Sequence, residues 1–103
     1  MSPVTLDAVY APSTHVVGRR IGDEFVLVPL AGRGADIEDI LNLNKVGAFI
    51  WEHIDGARNG ASVVDALVEH FDVARPEAET DYLDFLTTLR SLKAVVAVEG
   101  SEA

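Results

Sequence analysis

The chain has 103 residues, 49% of them hydrophobic, enough for one domain with a true core and too few for two. Its 17 acidic residues against 8 basic give a formal net charge of -9, a field that repels phosphate and argues against nucleic-acid partners. Cysteine is absent, which removes disulfides, thiol catalysis and thiolate metal sites, and no run of about 18 apolar residues offers a membrane span. No basic region followed by an apolar one opens the chain, so a secretory signal is not expected and the cytoplasm is the expected compartment.

Residues 1–14 carry Pro3 and Pro12 without a clear period and read as a flexible arm. Two β-rich runs follow, near Val16–Arg20 and Glu24–Val28, and Gly22-Asp23 between them suits a hairpin turn. Pro29 cannot donate to a ladder, so the second run ends there or lies at an edge. "AGRGAD" reads as a connection; its glycines lack the spacing and the Lys-Ser/Thr of a phosphate loop. Ile37–Leu43 reads as a third strand. Ile37, Leu41 and Leu43 fall on one side by period two, interrupted by Asp39, and Glu38, Ile40 and Asn42 fall on the other.

Three helices fill most of the remainder. The first is expected over Lys45–Ile54, with Asn44 as its cap, Val46, Ile50 and Ile54 on one face, and Asp55-Gly56 as its stop. The second is expected to begin at "SVVD", with Ser62 as cap, Asp65 in the capping-box position, and Val63, Ala66, Leu67 and Phe71 as its apolar face. The third follows Pro76, carries Glu77, Glu79 and Asp81 near its positive dipole end, and has the stripe Tyr82, Phe85, Leu86, Leu89 and Leu92. "AVVAV" near the end fits a short strand or a packed tail. The domain then covers residues 15–98, with 99–103 as a tail. The fold class is α+β: a three-stranded antiparallel sheet followed by three helices, winged helix-turn-helix-like in order. Ile50, Trp51, Leu67, Phe71, Phe85, Leu86 and Leu89 are the expected core.

Catalytic chemistry is hard to place on this chain. His15, His53 and His70 share no metal-ligand spacing, and the serines sit in no nucleophile motif. Asp81 and Asp84 read as a helix-dipole acid and a surface charge, and Trp51 as a core anchor. No enzyme, metal or cofactor is implied, so the chain is expected to bind something. The devices on offer are an open sheet edge and the groove beside a helix, which together accept an extended peptide.

"LNLNKVGAFIWEHIDG", "SVVDALVEHFDV" and "ETDYLDFLTTLRSL" resemble, in order and spacing, the PqqD-like family, named for pyrroloquinoline quinone biosynthesis protein D. The likeness spans about residues 16–98 and rests on Leu43, Asn44, Ile50, Trp51, Asp55 and Gly56, then on Phe71, Asp72, Val73, Asp81, Phe85 and Leu86. Lys93 and Ala94 stand where the family has Gly and a bulky apolar residue, and Ser62 replaces its usual Thr. The resemblance implies a peptide chaperone, the recognition element for the leader of a ribosomally made precursor peptide. Such proteins present the precursor to a maturation enzyme, often a radical S-adenosylmethionine enzyme. It implies a leader lying antiparallel along Ile37, Glu38, Asp39, Ile40, Leu41, Asn42 and Leu43. Tyr82, Leu83, Leu86 and Arg90 of the third helix are the expected opposite wall. The competing readings are a winged-helix DNA-binding regulator, which the charge opposes, and a structural or dimerisation module. The oligomeric state is left open.

Overall fold

The computed structural model describes residues 4–29 and 41–98. In chain order these form β1 (Tyr10–Pro12), β2 (Val16–Ile21), β3 (Glu24–Pro29), β4 (Leu41–Leu43), α1 (Lys45–His53), α2 (Gly60–Phe71), α3 (Arg75–Ser91) and β5 (Val95–Ala97). β2 and β3 pair with Ile21 opposite Glu24, leaving Gly22 and Asp23 as a two-residue turn. Gly22 takes φ +61 there, a conformation glycine adopts without a Cβ penalty. β4 pairs antiparallel with β3, Leu41 opposite Leu27 and Leu43 opposite Phe25, so the sheet runs β2-β3-β4. Of the expected third strand, Leu41–Leu43 is observed; Ile37, Glu38, Asp39 and Ile40 lie outside the described residues.

Alternation decides which face of this sheet is covered. Val16, Phe25, Leu27, Leu41 and Leu43 pack on the helices, while Asn42 between two of them is exposed. Gly18 belongs to the covered face for a steric reason. A Cβ there would come within 2.8 Å of Trp51 Nε1 and of Phe25 Cε1. The strand can therefore approach the Trp51 indole only with no side chain at that position.

Helix ends follow capping chemistry. Asn44 Oδ1 accepts from the Gly47 amide at 2.7 Å and starts α1 where the sequence predicts. α2 starts earlier than "SVVD" suggests. Asn59 Oδ1 accepts from the Ser62 amide at 2.9 Å, so Asn59 is the cap and Ser62 lies inside the first turn. The early start requires Gly60, because a Cβ there would meet the Tyr82 ring at 2.6 Å. α3 has no side-chain cap; Pro76 in its first turn supplies the helical φ instead.

The first residues are not a loose arm over their described part. β1 pairs antiparallel with β5, Tyr10 opposite Ala97 and Pro12 opposite Val95. Tyr10 and Val4 are buried, and Ser13 Oγ donates to the Lys93 carbonyl at 2.8 Å across 80 residues of sequence. The Gly60 and Ala61 amides donate to the Ala8 and Leu6 carbonyls, tying the segment to the start of α2. Each stretch is too short to show a period alone, and the pairing is non-local, so the sequence around Pro12 gave no local sign of it.

The core gathers Leu27, Ile50, Trp51, Ile54, Val63, Val64, Leu67, Tyr82, Leu86 and Leu89 between sheet and helices. Phe71 and Phe85, expected inside, are half-buried at its margin. Leu92 falls just past the end of α3 and is exposed, because the helix stops at Ser91 and Lys93 turns the chain with φ +60.

Candidate functional site

The chain leaves β4 at Leu43, and Asn44 turns it into α1. α3 crosses nearby, and between the two elements lies a groove of about 270 Å³. Asn44, Val46, Gly47 and Ile50 line one wall, and Asp81, Asp84, Phe85 and Thr88 the other. A second hollow shares Asn44 and continues beside β4, bordered by Glu24, Asn42 and Leu43. β4 pairs with β3 on one side only, and among the described residues no strand pairs with its other edge. A sheet edge with unpaired amides and carbonyls therefore leads directly into a groove.

The floor of the groove is apolar. Ile50 is fully buried, Val46 and Phe85 are half-buried, and the Phe85 ring lies against the backbone of Gly47. Its rim is acidic and polar: Asp81, Asp84 and Thr88 are exposed, and no ion pair within the described part of the chain engages either carboxylate. Elsewhere the carboxylates that meet arginines do so away from this site. Arg75 holds both Asp65 and Glu79, Arg20 holds Glu52 at 3.3 Å, and Arg58 approaches Asp55 at 3.7 Å. The amides of Ala57 and Arg58, donating to the Asp55 carboxylate, hold its pKa below the usual value and fix the turn after α1.

The wall expected from the sequence sits differently. Tyr82 and Leu86 are 1% and 0% exposed, so their side chains hold α3 onto the core rather than face a groove. At about 100° per residue, Leu83 and Arg90 lie on one flank of that buried stripe. Asp81, Asp84, Phe85 and Thr88 lie on the other flank, where the groove is. Leu83 and Arg90 are half-buried. Leu41, Asn42 and Leu43 are on β4 as expected, the two leucines toward the core and Asn42 outward. None of the eight residues that line the groove was among the expected site residues; for the four on α3 the one signal was the 81, 84, 85, 88 spacing, which puts three polar residues and one aromatic on one helix face.

His53 and His70 stack on Phe49, with ring centroids 4.1 and 4.7 Å away, and His53 Nδ1 lies 2.8 Å from the Phe49 carbonyl oxygen. Among the described residues no group of His, Asp and Glu is placed to hold a metal ion, and no helix is long and apolar enough to cross a membrane.

The open edge of β4 beside a helix-lined groove is an arrangement that can accept an extended peptide. The family described as Coenzyme PQQ synthesis protein D (PqqD) matches residues 24–95, and the chain belongs to that family. It is similar to the solved structure of TbiB1 in complex with the TbiA(beta) leader peptide, at 31% identity and a TM-score of 0.68, over 87% of this chain and 95% of that one. The fold also matches lasso peptide synthetase B1 complexed with the leader peptide, with a TM-score of 0.72 at 21% identity over 86% and 99% of the two chains. Comparison with curated proteins finds no match in sequence.

Proposed function

We propose that the chain binds the leader segment of a ribosomally synthesised precursor peptide and presents it to a modifying enzyme. The observation that carries this reading is the unpaired edge of β4 leading into the Asn44–Phe85 groove, in a member of a family whose solved relative TbiB1 holds a leader peptide. An extended leader adds a strand at Leu41–Leu43. Main-chain hydrogen bonds supply affinity there, and alternate side chains enter the groove.

The chain contributes no chemistry of its own in this scheme. Bond-making belongs to the partner, a maturation enzyme such as a radical S-adenosylmethionine enzyme, and the cytoplasm, where precursors are made, is its place of work. No nucleic acid or membrane takes part.

The test selects binders from random 12-residue peptides displayed on phage. Enriched peptides should show apolar residues at alternate positions and should lose binding when proline replaces a residue in the pairing segment, since proline removes a main-chain donor. Absence of enrichment, or enriched peptides indifferent to proline, would contradict the reading.

A further inference from the structure

We infer that the groove between α1 and α3 reads one basic side chain of the bound peptide, a lysine or arginine placed N-terminal to the residues that pair with β4. This rests on the peptide-binding reading and adds to it the chemistry and position of one recognised residue.

The shape and polarity of the cavity suit such a side chain. A groove of about 270 Å³ has room for one long side chain. Its inner part, Val46, Ile50 and Phe85, is apolar and suits a stem of methylene groups, and the Phe85 ring offers a face or edge to a cation. Its mouth carries Asp81 and Asp84, with Thr88 one turn beyond Asp84. These three and Phe85 share one face of α3 by their spacing of three and four residues. A neutral apolar side chain would fill the floor but engage neither carboxylate, and an acidic one would be repelled. A long cationic side chain satisfies both parts.

Direction follows from the sheet. β2, β3 and β4 are antiparallel throughout, and an antiparallel addition at the free edge of β4 continues that ladder with its better hydrogen-bond geometry. The N-terminal part of such a peptide then lies by the C-terminal end of β4, at Leu43. The groove opens there, since Asn44 lines it. The basic residue therefore precedes the pairing segment in the peptide, and a peptide with the same residues in reverse order presents its charge at the wrong end. The chain's net charge of -9 gives the same preference at longer range, favouring approach of a basic segment.

The experiment compares phage selections of random 12-residue peptides on the wild-type protein and on Asp81→Asn/Asp84→Asn. Both positions are exposed, so the variant should keep the wild-type melting curve, which circular dichroism checks. Wild type should enrich lysine or arginine at a fixed position N-terminal to the alternating apolar residues, and the variant should enrich the apolar pattern without it. For one selected peptide and its Lys→Met or Arg→Met form, affinities on both proteins complete a double-mutant cycle. The basic peptide should lose about tenfold on the variant, and the Met form should bind both proteins alike. Three results overturn the inference while leaving peptide binding intact: an apolar pattern with no basic position on wild type, a basic position C-terminal to that pattern, or equal losses for both peptides. No enrichment on wild type would sink the peptide-binding reading, and the inference with it.

Discussion

Phe85 rests on Gly47: a Cβ added to Gly47 would come within 3.2 Å of Phe85 Cε1 and 3.3 Å of Asn44 Oδ1. The first turn of α1 thus supports the aromatic ring that lines the groove, and a side chain at position 47 would push that ring back by a few tenths of an ångström.

Gly47→Ala is expected to change stability by no more than about 1 kcal/mol. Alanine favours a helix over glycine by about 0.5–1 kcal/mol, and crowding of the ring offsets that gain. Phe85 is half-buried and can turn outward into the groove, so peptide affinity should fall. Urea denaturation and a peptide titration check both parts; a large loss of stability with unchanged affinity would contradict this account of the ring.

Trp51 and Gly18 form a second close pair. Trp51→Ala should cost about 3–5 kcal/mol as a large buried side chain is lost. Gly18→Ala drives a Cβ into the indole and the Phe25 ring and should cost about 1–3 kcal/mol. With Trp51 already replaced, part of that clash disappears, so the two losses should sum to more than the double variant shows. Strict additivity in denaturation would mean that the rings do not meet.

These pairs mark the limit of what the sequence discloses. Asn44 and the hairpin at Gly22-Asp23 are local signals and fell where expected, as did most of the apolar periods of the helices, with Phe71, Phe85 and Leu92 as the exceptions. Asn59 was overlooked as a cap because Ser62 and Asp65 imitate a capping box. What selects Asn59 is the fit of Gly60 under Tyr82, a contact between two helices. β1 was read as part of an arm because its partner strand lies at the other end of the chain. An edge strand beside α3 was legible as a candidate site. Which flank of α3 faces it was not, because Tyr82, Phe85 and Leu86 look alike in a stripe, and only packing against α2 decides which of them is sealed in.

Removing residues 1–12 should destabilise the whole domain by at least about 3 kcal/mol, since Tyr10 and Val4 leave the core and β5 loses its partner. Thermal unfolding followed by circular dichroism would show it; an unchanged midpoint would mean that the β1–β5 pairing adds nothing.

Tyr82 gives a pH signature. Burial, with Tyr10 adding a smaller contribution, raises its hydroxyl well above the ordinary value of 10.0. The folded state therefore keeps this proton when the unfolded state has released it. Stability from this group is complete below pH 10 and should fall as pH rises beyond it, by up to about 1.4 kcal/mol per unit. Tyr82→Phe should flatten that slope in denaturation series between pH 9 and 11. An identical slope in the variant would assign the effect elsewhere.

The central claim, that an extended peptide adds to β4 and fills the groove against α3, is tested most directly by titrating a selected basic peptide into 15N-labelled protein and following the amide resonances. The largest shifts are expected at Leu41–Leu43, Asn44 and Gly47, and at Asp81, Asp84, Phe85 and Thr88, with the His53–Phe49–His70 stack little changed. Shifts centred on that stack, with residues 41–44 and 81–88 silent, would contradict it.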